Sequence, residues 1–157
     1  AATNHHELLD SAVWRRFSYR LALDFPTADL REKMWAAFGG TLEFTEREIA
    51  LLVDLSEGFS GSDIREVYVR LRRRQLAKQQ HPGLKDAFQV LQNMGIGEGE
   101  DRRFLSHLRG KDVQEVATSL RERNARLYSH AALADLLGVS KATAHRWATG
   151  TEIETNG

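Results

Sequence analysis

The sequence contains no cysteine and only two prolines among its 157 residues. The lack of cysteine excludes disulfide bonds and zinc sites with cysteine ligands, and it fits the cytoplasmic location that we expect. The scarcity of proline leaves stretches rich in alanine, leucine, arginine and glutamate that favour helices. No apolar run approaches the roughly 18 residues of a membrane span, and no signal peptide is recognisable. We therefore expect a mainly α-helical protein with no membrane segment.

The chain also has no net charge, because its 22 lysines and arginines balance its 22 aspartates and glutamates. Such a chain has no overall field that would draw it onto nucleic acid, so any such binding must come from local patches. The neighbouring His5 and His6 lack an accompanying set of carboxylates, and we predict no metal site in the chain. Hydrophobic residues make up 41% of the sequence, which is enough for a real core.

Hydrophobic spacing predicts strand, helix and strand within residues 1–25, with the strands at residues 1–3 and 19–23 and the helix at residues 7–16. Everything after Pro26 reads as helical. Thr27 can cap a helix that runs through Phe38, with Leu30, Met34, Trp35 and Phe38 spaced as one buried face. Further helices are predicted from a capping box at residues 45–48, from Ser60 or Ser62 to about residue 80, and over residues 84–94, 101–108 and 112–126.

Two motifs stand in order within the first 80 residues. The first combines Asn4, after Thr3, with the stretch LDSAVWRRF at residues 9–17, and the second is GFSGSDI at residues 58–64. Together they resemble the second part of an AAA ATPase module, in the form found in the meiotic group. By this resemblance residues 1–25 would be the end of the AAA α/β core and residues 26–83 its helical lid. Residues 84–157 would be a further helical domain.

The resemblance implies a role for each motif residue. Asn4 would be the sensor-1 residue, which helps to position the attacking water. Arg15 and Arg16 would be arginine fingers, given to the ATP of a neighbouring subunit in a homo-oligomeric ring. A guanidinium suits this role because its forked donors engage phosphate oxygens at two points. Gly61 and Ser62 would lie beside the adenine and ribose.

Two parts of an ATPase site are absent from the sequence. It has no GxxxxGK[ST] loop to cradle phosphates and no apolar strand ending in paired acids to hold Mg²⁺. An AAA core places both before the sensor-1 strand. We therefore expect the chain to be the C-terminal portion of a longer ATPase that uses ATP with Mg²⁺. The fragment alone should not hydrolyse ATP.

Residues 129–147 resemble the helix-turn-helix of phage repressors and transposon regulators, and we place the motif at about 130–148. Gly138 would end the first helix and Ser140 would cap the second. The second helix would then read DNA from residues 141–148. Its outward residues are Ser140, Lys141, Thr143, His145 and Arg146, and Arg121, Arg123 and Arg126 could add phosphate contacts.

Two alternative functions remain open. The chain could be a non-enzymatic helix-turn-helix regulator of double-stranded DNA whose first 80 residues only resemble an ATPase lid. The last 70 residues could instead be a docking module for a protein, because paired helices of this kind also occur as packing units. Two adjacent arginines at a helix end are also common as a solvated terminus.

Overall fold

A computed structural model describes residues 10–16, 18–19, 24–39, 41–94 and 103–149. The protein is mainly helical, and these residues contain no β-strand. The two strands predicted at residues 1–3 and 19–23 lie outside the described residues except for Tyr19, which is in neither a helix nor a strand. The α/β end of the predicted architecture therefore stays a prediction, whereas the helical character of the rest is confirmed.

The described residues form the following helices, in chain order. The first, α1, is a single turn at Ser11–Trp14. The longer helices are α2 (Ala28–Gly39), α3 (Glu46–Leu55), α4 (Gly61–Lys78), α5 (Leu84–Asn93), α6 (Val113–Arg123), α7 (His130–Leu137) and α8 (Lys141–Thr149), and a 3-10 helix (Phe104–Leu108) precedes α6.

Local hydrogen bonds set where the helices begin. Thr45 caps α3 in a reciprocal box with Glu48, as the sequence predicted. Of the two serines that could start α4, the structure selects Ser60, whose hydroxyl accepts from the Asp63 amide. Asp112 caps α6 in the same way. Each box satisfies amide groups that have no partner inside the helix. These short sequence patterns are therefore enough to determine where each helix begins.

The face that α2 buries differs from the prediction. Leu30 was expected inside but is 45% exposed, while Arg31 is 8% exposed. The Arg31 side chain donates to the Pro26 carbonyl at 2.8 Å and to the Val53 carbonyl at 3.0 Å. Burial lowers the pKa of its guanidinium. The prediction for Leu30 was wrong because an arginine whose donors reach backbone carbonyls can replace an apolar residue on a buried face.

The segment before α6 also differs from the prediction. An α-helix was expected over residues 101–108, but Phe104–Leu108 forms a 3-10 helix, in which the Ser106 amide donates to the Arg103 carbonyl at 3.0 Å. The helix expected over residues 112–126 ends at Arg123, because the Asn124 side chain accepts from the Leu127 amide at 2.9 Å. A side chain that accepts from a nearby backbone amide in this way competes with the helical hydrogen bonds.

One continuous core runs from α2 to α8. Helix α5 packs against α3 and α4, and it also packs against α7 and the 3-10 helix. Helices α6, α7 and α8 pack against one another. The break at residues 81–83 separates α4 from α5 along the chain, yet the apolar residues of α5 serve both sets of helices. The division into domains at residue 83 stays a prediction.

Candidate functional site

The first turn of α4 carries the two residues predicted to contact a nucleotide. Gly61 is the first residue of the helix and is half-buried, and Ser62 follows it on the exposed side. A Cβ on Gly61 would stand only 3.2 Å from the Met34 Cε, so a side chain there would push against α2. Neither residue's amide has a hydrogen-bond acceptor within the described residues. The turn thus presents a close-packed backbone and two available donors.

A reciprocal capping box holds this turn in shape. The Asp63 Oδ2 accepts from the Ser60 amide at 2.9 Å and from the Ser60 hydroxyl at 2.8 Å. The same oxygen lies 2.9 Å from the Arg103 Nη2. The local sequence makes the box, but the arginine comes from forty residues further along the chain. A residue outside the motif therefore contributes to the geometry of the motif.

A second cluster ties the end of α3 to the C-terminal helices. Arg123 donates to Asp54 through Nε at 2.8 Å and through Nη2 at 3.1 Å, and it also pairs with Glu57. The Tyr128 hydroxyl donates to the Asp54 Oδ2 at 2.6 Å. Burial, followed by the bond to Asp54, raises the pKa of Tyr128, which keeps the hydroxyl protonated as a donor. Burial lowers the pKa of Arg123, but the bonds to Asp54 and Glu57 outweigh it and raise the pKa overall.

These ties were not predicted from the sequence. Arg103, Arg123 and Tyr128 come from the second half of the chain, and their partners lie between α3 and the first turn of α4. Arg47 at the start of α3 also contacts the Ser129 hydroxyl. No local pattern identifies such pairs, since each joins residues far apart in sequence.

The candidate arginine fingers lie at the end of α1. Asp10 caps this helix by accepting from the Ala12 amide at 3.0 Å, and that bond lowers the pKa of its carboxyl. Arg15 follows as the C-terminal cap, and both Arg15 and Arg16 are exposed. An exposed pair at a helix end can reach a neighbouring molecule. Asn4, the candidate sensor-1 residue, lies outside the described residues.

Helices α7 and α8 meet in a tight turn that has the predicted form. Gly138 ends α7 with φ +69°, a left-handed conformation that suits glycine, and its amide donates to the Ala134 carbonyl. The Lys85 side chain lies where a Cβ at Gly138 would project. The Ser140 hydroxyl caps α8 by accepting from the Thr143 amide at 3.1 Å. The structure therefore shows the predicted helix end at Gly138 and the predicted cap at Ser140, while the helix-turn-helix assignment stays a prediction.

The five candidate DNA contacts differ in their surroundings. The hydroxyls of Ser140 and Thr143 bond to each other at 2.8 Å. The His145 ring lies 4.5 Å from the ring of His130, and both His145 and the half-buried Arg146 have contacts within the protein. Lys141 is exposed on the first turn of α8.

Two of the three arginines that could add phosphate contacts make bonds within the protein. Arg121 donates to the carbonyls of Ala125 and Tyr128, at 2.6 Å and 3.1 Å. Arg123 is held by the carboxylates at the end of α3. Both side chains are thus bonded within the fold, and their contact with DNA phosphates stays a prediction. Arg126 remains exposed.

Neither a metal site nor a membrane span stands out in the described ranges. Within them no group of three or more histidines, aspartates and glutamates is placed to hold a metal ion. Of the helices described, none has the length and apolar character needed to cross a membrane.

Comparison with known proteins places the similarity in one family. The chain is 39% identical over 66 residues to Protein SUPPRESSOR OF K(+) TRANSPORT GROWTH DEFECT 1 of Arabidopsis thaliana, and 41% identical over 66 residues to Vacuolar protein sorting-associated protein 4 of Dictyostelium discoideum. It is 36% identical over 67 residues to spastin of Gallus gallus. These stretches cover 40–41% of this chain.

The matched stretch is a small part of each relative. It spans 15% of the first two relatives and 11% of chicken spastin. No protein-family model matches the chain, and no solved structure does. The three relatives are AAA ATPases, so about two fifths of this chain is similar in sequence to AAA ATPases.

Proposed function

We propose that this chain is part of an AAA ATPase, which binds ATP with Mg²⁺ and couples its hydrolysis to the remodelling of a partner. The observation that carries the proposal is the similarity to AAA ATPases over 66 residues. The chain would supply the end of the α/β core and the helical lid. The phosphate-cradling loop and the Mg²⁺ ligands would lie elsewhere in the full-length protein, and the chain alone would not hydrolyse ATP.

The catalytic part of the proposal concerns three residues. Asn4 would act as sensor 1, as in the meiotic group of the family. Arg15 and Arg16 would reach the ATP of the next subunit in a ring, where their charge stabilises the transferring phosphoryl group. The exposure of both arginines at the end of α1 supports this role, since a finger must project from its own subunit.

The lid part of the proposal concerns the first turn of α4. Gly61 would let the backbone approach the adenosine closely, and Ser62 would lie beside it. The capping box through Asp63 supports this because it holds the turn in one shape before any ligand arrives. Binding of ATP would then bias the position of the lid relative to the α/β core, and hydrolysis would release that bias.

A charge placed at Ser62 tests this assignment. We expect Ser62→Glu to weaken ATP binding by the full-length protein about tenfold or more. The added carboxylate would crowd the adenosine and repel the phosphates, and about 1.4 kcal/mol is enough for a tenfold loss. Isothermal titration with ATP and Mg²⁺ would measure it.

The matched control is Gln114→Glu. Gln114 occupies the second position of α6, as Ser62 does in α4, and both helices begin with a capping box. The same charge at the same helical position should leave ATP affinity within twofold. Equal affinities in the two variants and the wild type would remove Ser62 from the site, and a wild type that binds no ATP would overturn the proposal itself.

A separate proposal concerns helices α7 and α8, which would form a helix-turn-helix that binds double-stranded DNA. The turn at Gly138, the cap at Ser140 and the exposed Lys141 support it. The relatives are not named for DNA, and the similarity to them does not support DNA targeting. The proposal rests on the geometry of this helix pair, and docking of a protein on the same face is the alternative.

DNA binding can be tested by its response to salt. We expect the full-length protein to bind a double-stranded oligonucleotide with an affinity that falls as salt rises. His145→Ala/Arg146→Ala should weaken binding and make the slope of log affinity against log salt shallower by about one. His107→Ala/Arg109→Ala removes the same residue types near the 3-10 helix and should change neither quantity. Affinity that ignores both salt and the α8 pair would favour the protein-docking alternative.

A further inference from the structure

Arg103 is a buried arginine that contacts three elements at once. Its side chain is 8% exposed, and its Nη2 lies 2.9 Å from the Asp63 Oδ2 in the first turn of α4. Its guanidinium carbon lies 4.6 Å from the centre of the Phe59 ring, in the turn before α4. Its Nη1 donates to the carbonyl of Met94, at the end of α5. One side chain therefore connects α5 to both sides of the Ser60 cap.

The contact with Asp63 acts on the backbone of the candidate site. The same Asp63 oxygen accepts from the amide and the hydroxyl of Ser60, the residue directly before Gly61. Arg103 thus holds the carboxylate that holds the start of α4. It is too deeply buried to touch a bound nucleotide itself. Its effect on the site must pass through Asp63 and Phe59.

We propose that Arg103 is a positioning residue for nucleotide binding, which keeps the first turn of α4 in the geometry that receives the adenosine. This inference rests on the proposed function of Gly61 and Ser62. A planar guanidinium can lie on the Phe59 ring and reach both the Asp63 carboxylate and the Met94 carbonyl. A lysine ammonium cannot make all three contacts, because it is a point charge on a flexible stem. Small displacements of a binding group reduce affinity strongly, so a loosened turn should bind ATP less well.

Arg123 provides a matched control from the same protein. Its guanidinium lies 4.0 Å from the centre of the Phe104 ring, and it pairs with the carboxylates of Asp54 and Glu57. It is thus another arginine that stacks on a phenylalanine and joins the C-terminal half to the α3–α4 region. Its acids lie at the end of α3 and in the following turn, outside the first turn of α4.

The experiment compares Arg103→Lys and Arg123→Lys with the wild-type full-length protein. Both substitutions should lower the midpoint of thermal unfolding. Only Arg103→Lys should raise the ATP dissociation constant, by about tenfold, and only Arg103→Lys should speed hydrogen exchange at the hydrogen-bonded amides of Ser60, Asp63 and Ile64. The turnover rate at saturating ATP should stay within twofold in both variants, because ATP binding can restore the turn.

A second variant tests whether the loss of ATP affinity comes from the contact between Arg103 and Asp63 or from a general loss of stability. Asp63→Asn keeps an oxygen that can accept from the Ser60 amide but loses the ion pair with Arg103. It should reproduce the affinity loss of Arg103→Lys, and the double variant should lose no more than either alone, since both changes break one link. Affinity that is unchanged in Arg103→Lys, or that falls equally in Arg123→Lys, would overturn the proposal.

The same measurements separate this inference from the proposed function. A wild-type protein that binds no ATP would contradict the function assigned to Gly61 and Ser62. In that case hydrogen exchange still tests whether Arg103 holds the first turn of α4 in place. Faster exchange at the amides of Ser60, Asp63 and Ile64 in Arg103→Lys, but not in Arg123→Lys, would show that Arg103 positions this turn whatever ligand it serves. Equal exchange in both would contradict the positioning role.

Discussion

Replacing Arg15 and Arg16 together by alanine should lower ATP turnover by the full-length protein by about 10³-fold or more. An arginine finger contributes on the order of 10³ to 10⁵ in rate, because its charge meets the negative oxygens of the transferring group. Both residues are exposed at the end of α1, so their loss should cost little stability. ATP affinity should change little, since each subunit binds its own ATP with other residues. A steady-state phosphate-release assay, beside a binding titration, would measure both effects.

A control and a mixing experiment make this prediction specific. Arg72→Ala/Arg73→Ala removes an adjacent arginine pair from α4 and should leave turnover within twofold. Subunits with Ser62→Glu carry the fingers but bind ATP poorly, whereas the double-alanine subunits bind ATP but lack the fingers. Mixing the two should restore part of the turnover if the fingers act on a neighbour. Turnover that is unaffected by the double substitution would contradict the finger assignment.

Replacing Asp54 by alanine should destabilise the chain by about 3 kcal/mol. The Tyr128 side chain is fully buried, and its hydroxyl would lose the carboxylate that it meets at 2.6 Å. A buried hydroxyl without a partner costs about 1–3 kcal/mol. Arg123 would also lose two charge-assisted hydrogen bonds, at 2.8 Å and 3.1 Å, while keeping Glu57. Urea unfolding followed by circular dichroism would measure the free energy of unfolding.

The control for this prediction is Asp135→Ala. Asp135 is an exposed aspartate of α7, and its removal should change the free energy of unfolding by no more than about 0.5 kcal/mol. Tyr128→Phe combined with Asp54→Ala removes both partners of the hydroxyl bond. That pair should be less destabilising than the sum of the two single variants, because no orphaned hydroxyl remains. Additive losses would show that Asp54 and Tyr128 contribute independently.

Sequence reasoning succeeded where the determinants are local. The Thr45 box, the helix end at Gly138 and the start of α4 at one of two serines each follow from residues within four positions of one another. It failed where the burial of a side chain depends on a partner that is distant in sequence. Arg31 is buried because the Pro26 and Val53 carbonyls are placed to receive it, and Val53 lies on another helix.

The candidate site divides in the same way. The sequence placed the start of α4 at Ser60 or Ser62, because the preceding turn contains glycine, and the box between Ser60 and Asp63 decides for Ser60. It gave no sign that Arg103 supports that turn, nor that Arg123 reaches Asp54 across 69 residues of chain. Such pairs follow from tertiary packing alone, and no spacing rule contains them. The catalytic assignment of Arg15 and Arg16 stays a prediction.

The shared packing of α5 has a consequence for how the molecule unfolds. Its apolar side chains are divided between α3 and α4 on the one hand and α7 on the other, so neither group of helices has a complete core without it. A protein organised in this way should melt in one cooperative transition, and its most protected amides should include those of α5. A partner that unfolds the C-terminal helices should therefore also destabilise α3 and α4, because all of them pack on α5.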